Sequence, residues 1–282
     1  MLPLHFFAQQ PQLSFKHISI EQGLSNSTIE CILQDNRGFI WFGTRDGLNR
    51  YDGNQVTIFR FDEKDSNSIS DNFIRCIYED RNHALWIGTN NGLNRFDPVT
   101  NRFTRYKQNP ANTGSLSNNQ VTCIYEDGSR VLWIATMGGG INVLAKGQNH
   151  FIHYRHADDV TASLNSDRVN YLYEDSKNNL WIGTADGLSV FERKTKSFKS
   201  FNGREGFTDG KENNILVIKE DRTGNLLLGT ADNGLLIYNH KSASIQHYQH
   251  NEKQAGSLAS NQVRTLLTDR AGNIWIGGVN GG

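Results

Sequence analysis

The five tryptophans of this 282-residue chain all fall in one repeated phrase. It reads Ile-Trp-Phe-Gly-Thr at 40–44, Leu-Trp-Ile-Gly-Thr at 85–89 and 180–184, Leu-Trp-Ile-Ala-Thr at 132–136 and Ile-Trp-Ile-Gly-Gly at 274–278. A sixth copy at 226–230 carries Leu227 where the others carry Trp. The spacings between copies are 45, 47, 48, 46 and 48 residues. A repeat of this length marks a unit that cannot bury its own apolar faces and must stack on neighbours.

Each unit divides into four short extended runs. The first is aliphatic, as in Val121-Thr122-Cys123-Ile124-Tyr125, and ends at an aspartate: Asp35, Asp80, Asp127, Asp175, Asp221 or Asp269. An aspartate there opens a turn and can cap its backbone N–H groups. The second run is the tryptophan phrase. It closes at pairs such as Asp46-Gly47, Asn91-Gly92, Asp186-Gly187 and Asn233-Gly234, which suit hairpins needing positive φ. Leu48–Tyr51 and Leu93–Phe96 exemplify the third run; Phe103–Tyr106, Phe151–Tyr154 and Phe198–Phe201 exemplify the fourth. Four antiparallel strands per unit describe the blade of an all-β propeller, with tryptophan filling the wedge between blades. The units fall near 23–61, 69–106, 116–154, 164–201, 207–248 and 258–282.

The ends depart from this pattern. Residues 13–18 align with a fourth strand, so the chain is expected to begin on an outer strand. The last unit stops at Asn280-Gly281-Gly282, after its second run, so the last blade is expected to be incomplete and the chain a fragment. Residues 13–282 form the propeller. Residues 1–12 read either as the remnant of a secretory signal, apolar up to Ala8 but without a basic start, or as a disordered start.

Composition narrows the function. Lys+Arg and Asp+Glu are both 29, spread along the chain, which excludes the basic face a nucleic-acid binder needs. No run approaches the roughly 20 apolar residues that span a bilayer. Three cysteines cannot make a complete disulfide framework. Cys31, Cys76 and Cys123 share one repeat column, and matching positions of adjacent blades lie beyond the roughly 7 Å that a disulfide allows, so they read as buried free thiols.

Gly23-Leu24-Ser25, Asp35, Gly38, Trp41, Gly43-Thr44, Gly47-Leu48-Asn49 and Tyr51 together resemble the two-component regulator propeller repeat. Leu116-Ser117-Asn118-Asn119 with Trp133 and Thr136, and Leu258 and Asn261 with Trp275 and Gly277, repeat the resemblance. It implies a seven-bladed propeller, usually one of two in tandem, on the periplasmic side of the bacterial cytoplasmic membrane in a membrane-anchored sensor. It also implies downstream immunoglobulin-like and histidine kinase domains, or a diguanylate cyclase, homodimerisation of the full-length protein, and a small, oligosaccharide-like ligand. No cofactor or metal is implied, and the chain itself is expected not to be an enzyme. Unit five departs from the pattern, with Phe207-Thr208-Asp209-Gly210 in place of Leu-Ser; unit three has Ala135 for Gly and a Met137-Gly138-Gly139-Gly140 turn, which suits either a bulged turn or close approach of a ligand.

Strand alternation places the loop leading into the first strand and the turn after the second at one end of the ring. That end is expected to present Asn26, Asn72, Asn119, Asp167, Asn213 and Asn261 beside Arg45, Asn90, Asn91, Met137, Asp186 and Asp232, with Arg168 and Lys211 as non-repeating oddities. Amides and carboxylates suit sugar hydroxyls, or else they only cap their own turns. His150, His153 and His156 are spaced by three, which on a strand does not converge on one ion. The Glu-Asp pairs at 79–80, 126–127, 174–175 and 220–221 recur at the same turn in four of the six units and so read as structural, since a catalytic pair would occur once. No nucleophile elbow, phosphate loop, kinase motif or zinc signature is present. Two alternatives stay open: a propeller lyase with a site in the channel, and a protein-interaction scaffold.

Overall fold

The computed structural model describes residues 17–145, 147–148, 150–201 and 214–279. Among these the chain forms five four-stranded antiparallel sheets and one two-stranded sheet. The inner strands are Ile29–Gln34, Ile74–Glu79, Val121–Glu126, Val169–Glu174, Ile215–Glu220 and Val263–Thr268, here taken as the first strands of blades 1 to 6. Each inner strand packs beside the next in chain order. This is a propeller, and blade 6 shows its first two strands. His17 and Ile18 are not in a strand; they lead into a short 3-10 helix, Ile20–Gln22, capped by Ser19. Residues 1–16 and the Asn280-Gly281-Gly282 stretch lie outside the described residues. No helix among the described residues is long and apolar enough to cross a membrane.

The core lies between blades, not within them. Trp41 of blade 1 packs with Ile74, Leu85, Ile87 and Phe96 of blade 2. Trp86, Trp133 and Trp181 repeat the arrangement against blades 3, 4 and 5. In blade 5, Leu227 takes the position and meets Val263 and Leu266 of blade 6. Both faces of each central sheet are therefore apolar, which explains the continuous hydrophobic runs. Trp275 of blade 6 is 61% exposed, and Ile32 is exposed on the opposite face of blade 1.

An indole N–H must keep a partner when buried, since an unmade bond costs about 1–3 kcal/mol. The aspartate ending each inner strand supplies it. Trp41, Trp86, Trp133, Trp181 and Trp275 each donate Nε1–H to the Oδ2 of the aspartate six residues earlier, at 2.8–3.0 Å. The same carboxylate accepts backbone N–H groups through Oδ1, as from Lys177 and Asn179 at Asp175 (2.9 and 2.8 Å). In blades 4, 5 and 6 the carboxylate also accepts an asparagine amide, from Asn179, Asn225 and Asn273 at 2.8, 2.9 and 2.8 Å, and in blade 5 that amide bonds it without an indole beside it.

The glutamate before that aspartate fastens one blade to the previous one. Glu79, Glu126, Glu174 and Glu220 accept the backbone N–H of Asn36, Arg81, Gly128 and Ser176 at 3.0, 2.7, 3.1 and 2.8 Å. The acidic pairs are thus structural caps. Arg193 adds a bridge from blade 4 to blade 3, pairing with Asp127 (2.7 Å) and Glu174 (2.5 Å).

The glycine of the tryptophan phrase is steric. A Cβ on Gly88 would sit 2.5 Å from Cys76 Sγ and 2.6 Å from Val121 Cγ1 of the next blade; Gly43 and Gly229 are equally closed. Ala135 is the exception, buried against Val169 where blades 3 and 4 leave room for the methyl.

Asp175→Ala is expected to lower unfolding free energy by about 3 kcal/mol in urea titrations, because it orphans an indole and two backbone donors. Asp221→Ala costs less, having no indole to strand. Burial opposes ionisation of Asp127 and Asp175, but their hydrogen bonds, from Arg193 and Val131 at Asp127 and from Trp181 and Asn179 at Asp175, outweigh it and hold both below the usual carboxylate range. A lowered folded-state pKa gives stability that is present above about pH 4 and lost as pH falls through the folded value. The urea midpoint should therefore drop with acid below about pH 4, less steeply in Asp175→Asn. Gly88→Ala should cost about 2 kcal/mol by the same measurement, Ala135→Gly about 1.

Candidate functional site

Each inner strand slips by one residue against its second strand, at the same place in all six blades. The shifts lie between Ile29 and Cys31, Ile74 and Cys76, Val121 and Cys123, Val169 and Tyr171, Ile215 and Val217, and Val263 and Thr265. A β-bulge leaves its extra residue out of the ladder and re-aims the side chain. The extra residues are Glu30, Arg75, Thr122, Asn170, Leu216 and Arg264, and all six line one cavity of about 470 Å³ at the axis. Its rim adds Arg45, Met137 and Ala231 from the turns after the second strands, and Phe73, Asn214 and Gln262 from the residues leading into inner strands.

The bulged column carries a different chemistry almost everywhere: an acid, two arginines, a hydroxyl, an amide and an aliphatic. Three guanidinium groups face one carboxylate. Arg45 Nε donates to Glu30 at 2.6 Å, and Arg75 Nε donates to Asn90 Oδ1. Both guanidinium carbons lie over the Phe73 ring, at 5.6 and 5.3 Å from its centroid. Asn170 donates to Asn214 Oδ1 at 2.8 Å, and Thr122 to the Val169 carbonyl at 2.6 Å, which ties neighbouring blades together under the cavity.

Of the residues expected from sequence, Arg45 and Met137 line this cavity, and Asn90 orients Arg75. Asn72, Asn119, Asp167 and Asn261 are engaged elsewhere: each accepts the backbone N–H of Phe61, Gln108, His156 or His250, just past the previous blade's outer strand, at 2.7–2.8 Å. Asn26 caps Thr28 N–H at 2.8 Å and sits one column off this set, where Ser27 stands. Asn91 accepts from the Asn119 amide at 3.4 Å. Asp186 is half-buried in its hairpin, with its backbone N–H donated to Thr184 Oγ1. Arg168 is exposed and meets Met137 through its backbone. Asn213 and Lys211 lie outside the described residues.

The glycine run after Met137 is closed rather than open. A Cβ on Gly139 would meet Ser117 Oγ at 2.5 Å, and the Gly138 and Gly140 N–H groups both donate to the Asp167 carbonyl. The histidines are likewise local: the ring nitrogens of His153 and His156 bond the carbonyls of Ser115 and Leu164. The cysteines are free, and burial pushes the Cys31 thiol up to about 12 and the Cys123 thiol up to about 11.

The column missed by the sequence reading did leave a signal. Ile74 and Ile77, Val121 and Ile124, Val169 and Leu172, and Ile215 and Ile218 face one neighbouring blade despite a spacing of three. Strict alternation forbids that on a regular strand, so the spacing itself marks a bulge.

Five segments, residues 23–46, 68–91, 115–138, 163–186 and 257–280, match the two-component regulator propeller family. The unmatched unit is the one without tryptophan. A histidine kinase, P4, of Formosa agariphila is 44% identical over 69 residues, which are 24% of this chain and 5% of that protein. The extracellular domain of a hybrid two-component system from B. thetaiotaomicron is 27% identical with a TM-score of 0.57, over 95% of this chain and 41% of that one. PorZ, a surface component of the type-IX secretion system of Porphyromonas gingivalis, aligns with a TM-score of 0.69 at 15% identity, over 90% of this chain and 38% of that one, and shares the fold. The chain thus spans about two fifths of the solved domains it matches and a small part of the kinase.

Because the bulged residue has no ladder partner, Leu216→Gln should change unfolding free energy by less than about 1 kcal/mol, whereas Val217→Gln, one residue on and buried, should cost about 3 kcal/mol or more. Urea denaturation of the two variants decides between a re-aimed column and an ordinary strand.

Proposed function

We propose that this chain of two-component regulator propeller repeats is the ligand-binding part of a sensor, taking a small saccharide-like molecule in the axial cavity. The observation that carries the reading is the convergence of six non-repeating bulged side chains, one per blade, on a single cavity of about 470 Å³. A wall that must keep the blades together has no need of chemically different residues at equivalent positions; a recognition site does. The mixture also fits a sugar: amides and a hydroxyl for its hydroxyl groups, and Met137, Leu216 and Ala231 for its C–H faces.

The similarity to a histidine kinase and to the extracellular domain of a hybrid two-component system supports a parent of the same type, with this chain on the periplasmic or outer side of the membrane. In that setting the propeller does no chemistry of its own. Ligand contacts from all six blades would favour one arrangement of the ring over another. Downstream kinase modules, paired in a homodimer, would read that population shift. The axial cavity favours this over a protein scaffold, for which an exposed apolar patch on a closed surface would be the mark.

Thermal-shift screening of oligosaccharides against the chain is the test. A ligand present at a hundred times its dissociation constant stabilises by about 2.7 kcal/mol, a shift of a few degrees in Tm for a domain of this size. Leu216→Trp, which fills the cavity, should abolish the shift while leaving the unliganded Tm within a few degrees. A ligand whose shift survives Leu216→Trp does not bind at the axis.

A further inference from the structure

We infer that the axial cavity selects an acidic saccharide, one bearing a carboxylate or sulfate oxyanion, over a neutral sugar; this rests on the cavity being the ligand site. Three arginines, Arg45, Arg75 and Arg264, line it against a single carboxylate, Glu30. Their disposition is specific. Arg45 and Arg75 are each held through Nε, by Glu30 and Asn90, and both guanidinium groups lie over the same ring, Phe73. Among the described residues their terminal nitrogens have no hydrogen-bond partner, and Arg264, exposed at its bulge, has no side-chain partner at all.

Anchoring through Nε and the shared ring fixes each fork before any ligand arrives, so little side-chain freedom remains to be lost on binding. A guanidinium only donates, and its terminal pair matches the two oxygens of an oxyanion. A neutral sugar would shield these charges from water without compensating them, which disfavours its binding. An acidic sugar neutralises the excess, while its ring can lie on Met137, Leu216 and Ala231. The two neighbouring forks on Phe73 fit one oxyanion between them, and Arg264 fits a second along the chain of sugars.

Isothermal titration of the 282-residue chain tests this, with di- and trigalacturonate as the carboxylate probes, a sulfated chondroitin disaccharide as the sulfate probe, cellotriose as the neutral probe and inorganic sulfate as the bare oxyanion. An acidic saccharide should bind at least about tenfold more tightly than cellotriose, and more weakly as salt is raised. Arg75→Gln and Arg264→Gln should each weaken it by about 10- to 100-fold, with Arg75→Lys in between and all variants melting like the parent. Preference among the probes then tells carboxylate from sulfate. Equal or tighter binding of cellotriose that survives both arginine substitutions but not Leu216→Trp overturns the acidic preference and keeps the axial site. Acidic binding that survives Leu216→Trp overturns the axial site as well. No binding by any acidic saccharide, or binding no tighter than inorganic sulfate, overturns the proposal.

Discussion

One carboxylate per blade carries most of this architecture. The aspartate at the end of the inner strand closes a turn with one oxygen and receives its own blade's indole with the other. Without the second bond the indole could not be buried without loss, and without the indole the wedge between two radiating sheets would stay open. The same residue therefore couples local turn chemistry to packing between blades. The neighbouring glutamate extends the coupling by capping the turn of the blade before it. Each blade is consequently defined by its neighbours, and the fold is held as a series of equivalent interfaces.

The two bonds can be told apart in blades 5 and 6. Trp275 keeps its aspartate at 3.0 Å while standing mostly in solvent, whereas the other four indoles pack on the following blade. Hydrogen bonding alone thus orients the indole, and the next blade buries it. Blade 5 shows the converse: Leu227 is fully buried without an indole, and the carboxylate keeps its asparagine amide. Packing and capping are separable roles: the amide of blade 5 is the same bond that Asn179 and Asn273 make beside their indoles, and it is kept when the indole is gone.

Blade count, strand order and the interfaces were legible in the sequence because each is enforced in every unit, so six copies of the same constraint reinforce one another. Trp, Asp, Gly and the Glu-Asp pairs all do in space what their columns announce. The site was less legible for the same reason. Reading which loops share an end of the ring brought in Arg45 and Met137, which line the cavity, but also drew attention to Asn72, Asn119, Asp167 and Asn261, whose recurrence reflects a recurring cap. Arg75, Thr122, Asn170, Leu216 and Arg264 were passed over because they sit inside strands, where an alternation argument assigns them to a sheet face. The bulge breaks that alternation, and its only trace is a three-residue spacing between aliphatics that pack on one side.

Repetition and recognition are therefore assigned to different columns. Positions that hold blades together admit few residues: a methyl on Gly88 already collides with Val121. The bulged residue, outside the ladder and facing the axis, is free of those constraints, so its chemistry can change without disturbing an interface. That freedom accompanies a scaffold shared with PorZ at only 15% identity. The side chains that converge on the axis accordingly differ from blade to blade, whereas the caps at the rim recur. Six blades each offer one unconstrained side chain to the same volume, and a ligand filling it touches every blade at once. On the sensor reading proposed above, binding there would act on the angle between blades, the coordinate a downstream module would read.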